Sequence, residues 1–84
     1  MPTYIDIHSL PGVKAGDVAI AHQADVRVQG PYGVNYRQYW VDEDAGKVFC
    51  LVDSPDRETA ALVHREAHGL EADVLHEVAE GVEL

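Results

Sequence analysis

Residues 47–56 read Lys-Val-Phe-Cys-Leu-Val-Asp-Ser-Pro-Asp, an apolar segment that leads directly into a helix start. The Val-Phe-Cys-Leu-Val run is apolar on both sides, which is typical of a strand in the middle of a sheet. Serine is favoured at a helix N-cap, proline at the first helical position and an acidic residue in the first turn. The stretch therefore predicts a central strand followed by a helix with Ser54 as its N-cap.

The segments on either side of this stretch predict a hairpin, a helix and a last strand. Residues 34–41 form another strand, and the acidic connection at 42–46 has the length and the glycine of a hairpin loop. The helix stops at Gly69, a residue type suited to the position after a helix end. Residues 72–79 alternate in polarity and predict the last strand. The apolar face of the helix comprises Thr59, Ala60, Val63 and Ala67.

The chain begins with an alternating strand and a first helix. In residues 3–8, one side of the strand carries Ile5 and Ile7, and the other carries Tyr4, Asp6 and His8. Pro11-Gly12 then breaks the chain. Residues 15–29 predict a helix, which Gly30-Pro31 terminates. Its apolar stripe is expected to comprise Ile20, Ala21, Ala24 and Val28.

The predicted order is β-α-β-β-α-β. Split β-α-β units of this order close into an antiparallel sheet with both helices on one face, so we expect an α+β, ferredoxin-like βαββαβ fold. A chain of 84 residues supports one hydrophobic core, which makes residues 1–84 a single predicted domain. The helix-free sheet face is left uncovered, and so small a core gains stability from a metal or a partner subunit.

Composition excludes several classes of partner. Fifteen acidic residues against six basic ones give a formal net charge of −9, and the cations are scattered singly. A nucleic-acid or anionic membrane surface needs clustered Lys and Arg, so neither is an expected partner. Residues 1–8 have no basic or long apolar signal, and Cys50 is the single cysteine. We therefore expect a cytoplasmic protein without an internal disulfide.

Two pairs of polar residues stand out at positions suited to metal binding. His64 and His68 are four residues apart on the second helix, which places two imidazoles within reach of one ion. They are equally placed to complement the helix dipole. Asp6 and His8 project from the same side of the first strand, where the carboxylate can orient the imidazole or form an interface hydrogen bond. The topology places these histidines near one edge of the sheet.

Two further histidines are less informative. His22 and Asp25 are three residues apart on the side of the first helix expected to be exposed, where they form either a chelate or a solvated surface. His76 is another candidate for the shared edge, although its alternation with valines favours a structural role. Imidazole and carboxylate ligands suit nickel, copper, zinc or cobalt, and the residues alone do not choose among these ions. No catalytic triad or phosphate-binding loop is found.

A set of short motifs extends over nearly the whole chain. They are Asp6-x-His8, Pro11-Gly12-Val13, Ala21-His22-x-Ala24-Asp25, Tyr32-Gly33-Val34, Tyr39-Trp40-Val41-Asp42, Phe49-Cys50-Leu51, Ser54-Pro55-Asp56 and Val63-His64-Arg65-Glu66-Ala67-His68-Gly69-Leu70. Together they resemble the small bacterial nickel-binding proteins of a ferredoxin-like domain family of unknown function. The resemblance implies a homodimer that binds Ni²⁺ at its surface, serves in nickel sequestration or tolerance and catalyses no reaction. At matching positions it implies the metal ligands His8, His22, His64 and His68.

Two other functions remain open at this point. Dimeric ferredoxin-like domains also include monooxygenases and isomerases, and a pocket around Asp6, His8, Tyr39 and Cys50 would suit such an enzyme. The chain could equally be an interaction module whose histidines are incidental. Taken by itself, Cys50 in a central strand is expected to be an inert buried thiol.

Overall fold

The strands predicted from the sequence form one antiparallel sheet. The computed structural model describes residues 1–81. Its elements are β1 (Thr3–Ser9), α1 (Ala15–Gln29), β2 (Asn35–Asp42), β3 (Lys47–Asp53), α2 (Arg57–Ala67) and β4 (Val74–Val78), with a short 3₁₀ turn (Gly30–Tyr32) after α1. The sheet order is β2-β3-β1-β4. The predicted α+β, ferredoxin-like βαββαβ fold is confirmed; residues 82–84 of the predicted domain lie outside the described residues.

The two central strands bring polar residues together on the buried face. β3 pairs with β1 in the register that sets Asp6 opposite Cys50 and His8 opposite Val48. The side of β1 with Tyr4, Asp6 and His8 is buried, and its isoleucine side is only half-buried. The predicted alternation is therefore present, and it places a carboxylate and an imidazole inside the protein.

The buried stripe of α1 differs from the predicted one. Ile20 was expected on it and is 69% exposed, whereas Asp25, expected on the exposed side, is 2% exposed. Val18 and Asp25 are the buried residues of this helix. They are seven positions apart, two turns along one helix face, so the contacting stripe is rotated relative to the prediction and includes a carboxylate. The helix was placed correctly, and its orientation was wrong.

The helix α2 begins later than its sequence signal suggested. Ser54 was predicted as the N-cap, but the cap is Asp56, whose Oδ1 accepts the Thr59 backbone N–H at 2.7 Å. The Ser54 hydroxyl donates to the Asp56 carbonyl instead. The end of the helix is as predicted, with Gly69 at φ 79° and its N–H donated to the His64 carbonyl. The start shifted because an aspartate two residues further on forms the better cap.

The other face of the sheet is apolar and partly exposed. Ile5 lies opposite Leu51 and Ile7 opposite Phe49, all of them half-buried. Trp40, next to Phe49 on the edge strand β2, is 46% exposed. Within the described residues, no helix has both the length and the apolar character needed to cross a membrane.

Candidate metal site

The centre of the polar interior is His64, on the sheet-facing side of α2. It follows Val63, which is fully buried, and it is itself 2% exposed. Its Nε2 lies 2.8 Å from Asp6 Oδ2 of β1, and its Nδ1 lies 2.8 Å from Asp25 Oδ1 of α1. Ionised carboxylates only accept hydrogen bonds, so both ring nitrogens carry protons in this arrangement. His64 is therefore an imidazolium between two carboxylates.

The charges of this cluster support each other. Burial disfavours the imidazolium, but the hydrogen bonds that His64 donates to Asp25 and Asp6 outweigh it and raise the pKa of His64 to about 9. Burial likewise raises the pKa of Asp6 and of Asp25, and their contacts with histidines reverse this and lower both. The ring of Tyr36 stacks on His64 at 4.2 Å between centroids, a favourable contact for a cation. The net charge of the three ionised groups is −1.

A triangle of three ligand atoms, which we call the outer group, links α1 to α2. It consists of Asp25 Oδ1, His64 Nδ1 and His68 Nε2, with sides of 2.8, 3.0 and 3.1 Å. An ion bonded at about 2.1 Å to three ligands at right angles separates them by about 3.0 Å, against about 3.4 Å for tetrahedral angles. The outer group therefore has the dimensions of one face of an octahedron.

Hydrogen bonding alone leaves a conflict in this triangle. The Leu70 backbone N–H donates to His68 Nδ1 at 3.0 Å, which puts the proton of a neutral His68 on Nε2. His68 Nε2–H then lies 3.0 Å from Asp25 Oδ1 and faces the protonated Nδ1 of His64 at 3.1 Å. Two N–H groups repel at that distance. A dication in place of these protons would remove the conflict, so the donor set fits a metal.

A second cluster, the inner group, consists of Asp6, His8, Cys50 and His64. Each offers one ligand atom, and these atoms lie within 4.8 Å of one another. Within residues 1–81, Asp6 Oδ1 and His8 Nδ1 are buried without a hydrogen-bond partner. His8 Nε2 is 3.2 Å from Asp6 Oδ1, outside hydrogen-bond geometry. Burial, with the nearby Asp6 charge, raises the pKa of the Cys50 thiol well above its usual range.

A cavity of about 50 Å³ connects the two groups with solvent. Its walls are mainly apolar, and its lining includes all four histidines predicted as ligands, His8, His22, His64 and His68. The His22 ring contacts the Tyr39 ring at 4.9 Å between centroids and belongs to neither ligand group. The cavity gives an ion a path to the buried atoms.

His8 and His64 were expected at the surface and are buried instead. His8 and His64 are 3% and 2% exposed, because their strand and helix faces both turn inward. His76 pairs with Ile5 and therefore lies on the opposite sheet face. It does not lie with the other histidines, as the predicted shared edge had allowed.

Sequence reasoning missed the central role of Asp25. The only signal was its spacing of seven from Val18 and three from Val28, which puts a carboxylate on an apolar helix stripe.

Comparisons with known proteins identify the fold and the family of this chain. The crystal structure of SCO4226 from Streptomyces coelicolor A3(2) matches this fold with a TM-score of 0.88 and 33% sequence identity, over 95% of this chain and 99% of that chain. No curated protein gives a significant match. The family model described as nickel responsive protein SCO4226-like matches residues 4–78. This chain belongs to that SCO4226-like family of nickel responsive proteins.

Proposed function

We propose that this protein binds Ni²⁺ through the outer group and serves in nickel sequestration or tolerance in the cytoplasm. The observation that supports this most is the triangle of Asp25, His64 and His68, with edges of 2.8–3.1 Å. Nickel accepts imidazole and carboxylate ligands, and octahedral geometry leaves three positions for water in the cavity. The formal charge of −9 favours the approach of a cation. The family's nickel-responsive description supports the choice of ion.

The residues around the triangle prepare His64 for this role. A dication at Nδ1 displaces one proton and leaves Nε2–H donating to Asp6, which is the carboxylate–histidine–metal arrangement of many metal sites. Asp6 is thus a positioning residue. Coordination through His68 Nε2 moves that ring's proton to Nδ1, which breaks the hydrogen bond from Leu70 N. The proposal therefore includes a local rearrangement of the turn after α2.

The proposal also includes a homodimer formed through the exposed apolar sheet face. Ile5, Ile7, Phe49 and Leu51 form a half-buried patch, and Trp40 and Val74 extend it at 46% and 42% exposure. Burying such a patch against a second copy removes apolar area from water at about 25 cal/mol per Å². The patch is on the opposite side of the sheet from the outer group, so each subunit can bind its own ion.

Calorimetric titration with NiCl₂ tests the nickel site. We expect His68→Ala and Asp25→Asn to lower nickel affinity at least tenfold, because each removes one of three ligands. His76→Ala is the matched control, since His76 is exposed on the other sheet face. Circular dichroism establishes that each variant is folded. Wild-type affinity in both ligand variants would contradict the proposal.

A small dimeric enzyme, of monooxygenase or isomerase type, is the second candidate function. The observation that favours it is the apolar cavity beside two imidazoles and one carboxylate, a ligand set also used by non-haem iron oxygenases. Of the predicted pocket residues, His8, Tyr39 and Cys50 line the cavity, and Asp6 lies behind His64. Iron(II)-loaded protein that consumed dioxygen in the presence of a small apolar substrate, with no consumption by His68→Ala, would support this candidate. Equal rates would exclude it.

A further inference from the structure

The inner group differs from the outer group in its chemistry. We propose that Asp6, His8, Cys50 and His64 form a second metal site, selective for a tetrahedral dication such as zinc or cobalt, that cannot be filled together with the nickel site. The proposal rests on two observations: the clustering of four different ligand atoms and the unpartnered polar atoms among them.

The burial of these residues argues that the cluster is a built site. Asp6 is fully buried, and His8 and Cys50 are 3% and 7% exposed. An unpaired buried polar atom is destabilising, yet Asp6 Oδ1 and His8 Nδ1 both lack a partner within residues 1–81. Strand pairing holds Asp6 directly opposite Cys50, so the backbone fixes the two anionic ligands side by side. An ion that accepted these lone pairs would remove the penalty.

The ligand set selects the class of ion. Thiolate, imidazole and carboxylate are the three ligand types that tetrahedral zinc accepts, and cobalt(II) takes the same geometry. Tetrahedral ligands at about 2.0–2.3 Å from an ion lie about 3.3–3.7 Å apart. The atoms of the inner group lie within 4.8 Å of one another, so any pair closes by at most about 1.5 Å to reach this spacing. Coordination removes the thiol proton and the Nε2 proton of His64, and the two anions Asp6 and Cys50 then balance the dication.

Access to the inner group is through the same cavity as for the outer group. His8, Cys50 and His64 all line this cavity. The thiol is therefore reachable by an ion although its high pKa keeps it protonated and unreactive in the empty protein. A cysteine with a purely structural role would not need a carboxylate and two histidines beside its thiol, whereas a metal ligand would.

His64 couples the two sites through its opposite nitrogens. Nδ1 points to Asp25 in the outer group, and Nε2 points to Asp6 in the inner group. A neutral imidazole has one proton, so only one nitrogen at a time offers a lone pair. An ion in either site therefore prevents an ion in the other. The exclusion depends on the proposed nickel site at the outer group. The proposal of the inner site does not depend on it.

Cobalt(II) absorption spectroscopy tests the inner site. We expect the wild-type protein with CoCl₂ to show a sulfur-to-cobalt charge-transfer band and the intense visible bands of tetrahedral cobalt. Cys50→Ser and Cys50→Ala remove the charge-transfer band, and His68→Ala retains it because His68 belongs only to the outer group. Two cysteine variants are used so that misfolding of one of them does not decide the test. Absence of the band in wild type, or its persistence in both cysteine variants, would overturn the proposal, and nickel binding would be unaffected by that result.

Nickel titration of the cobalt-loaded protein tests the exclusion. We expect the charge-transfer band to disappear as nickel binds to wild type and to resist the same nickel concentration in His68→Ala. A band that persisted while wild type bound nickel would show both sites filled at once. Equal loss in wild type and His68→Ala would show nickel entering the inner site directly. Either result refutes the exclusion. Only a band that persists while nickel binds is compatible with two independent sites.

Discussion

Replacement of His64 by alanine is the most direct test of the charged interior. The wild-type ring supplies one proton to Asp6 and one to Asp25, both of which are almost fully buried. In the variant two carboxylates face a small cavity with no cation between them. Either they stay ionised without the imidazolium that balanced them, or they take up protons at a pH far above their lowered pKa values. Both outcomes destabilise the folded state.

The expected loss is large relative to the stability of so small a protein. Breaking a buried ion pair by removing one partner costs about 3–5 kcal/mol. Domains have about 0.05–0.15 kcal/mol of stability per residue, or about 4–13 kcal/mol for 84 residues. His64→Ala is thus expected to remove about a quarter or more of the total free energy of unfolding. With an m-value of about 1.5 kcal/mol per M, the urea midpoint falls by about 2–3 M.

Urea unfolding in the presence of a chelator, followed by Trp40 fluorescence and circular dichroism, measures this loss. Gln23→Ala, at an exposed position of α1, should stay within about 0.5 kcal/mol of wild type. Asp25→Asn in the His64→Ala background removes one of the unpaired charges, so the double variant is less destabilised than the sum, by about 1–3 kcal/mol. Additive effects, or a loss below about 1 kcal/mol for His64→Ala, would refute the imidazolium.

The remaining predictions concern pH, neighbouring contacts and assembly. Because the folded pKa of His64 is about 9 against 6.5 for the free side chain, its stabilisation is complete below pH 6.5 and is lost as the pH rises through 9. The unfolding free energy of the metal-free protein should therefore fall by about 3 kcal/mol over that range in urea titrations, and a flat profile would contradict this. Tyr36→Phe removes the hydroxyl that contacts Asp6 and the Ala60 carbonyl, and we expect a loss of about 1–2 kcal/mol by the same method; no loss would mean that this hydroxyl does not stabilise the cluster. Nickel should accelerate hydrogen exchange at the Leu70 amide, measured by mass spectrometry, and unchanged exchange would show that the turn does not rearrange. Trp40→Lys should yield monomers by light scattering. Ile20→Lys, on the exposed side of α1, should remain dimeric, and the same mass for both variants would place the interface elsewhere.

The sequence determined the elements of this protein because their signals are local. Alternation in residues 3–8, the apolar run at 48–52 and the glycine at 69 each act through neighbours a few positions away, and all three were interpreted correctly. The spacing of His64 and His68 likewise followed from helix geometry alone. The fold class then followed from the order of the elements.

The tertiary structure alone decided which residues meet. His64 contacts Asp6 across 58 positions and Asp25 across 39, and no local pattern specifies contacts over such distances. They depend on the register of β1 against β3 and on the rotation of α1, which sequence analysis placed with Ile20 inward. The burial of these side chains depends on the same strand register and helix rotation. Because burial is what fixes the protonation of His64 and the spacing of its partners, the chemistry of the site became visible only once the chain was folded.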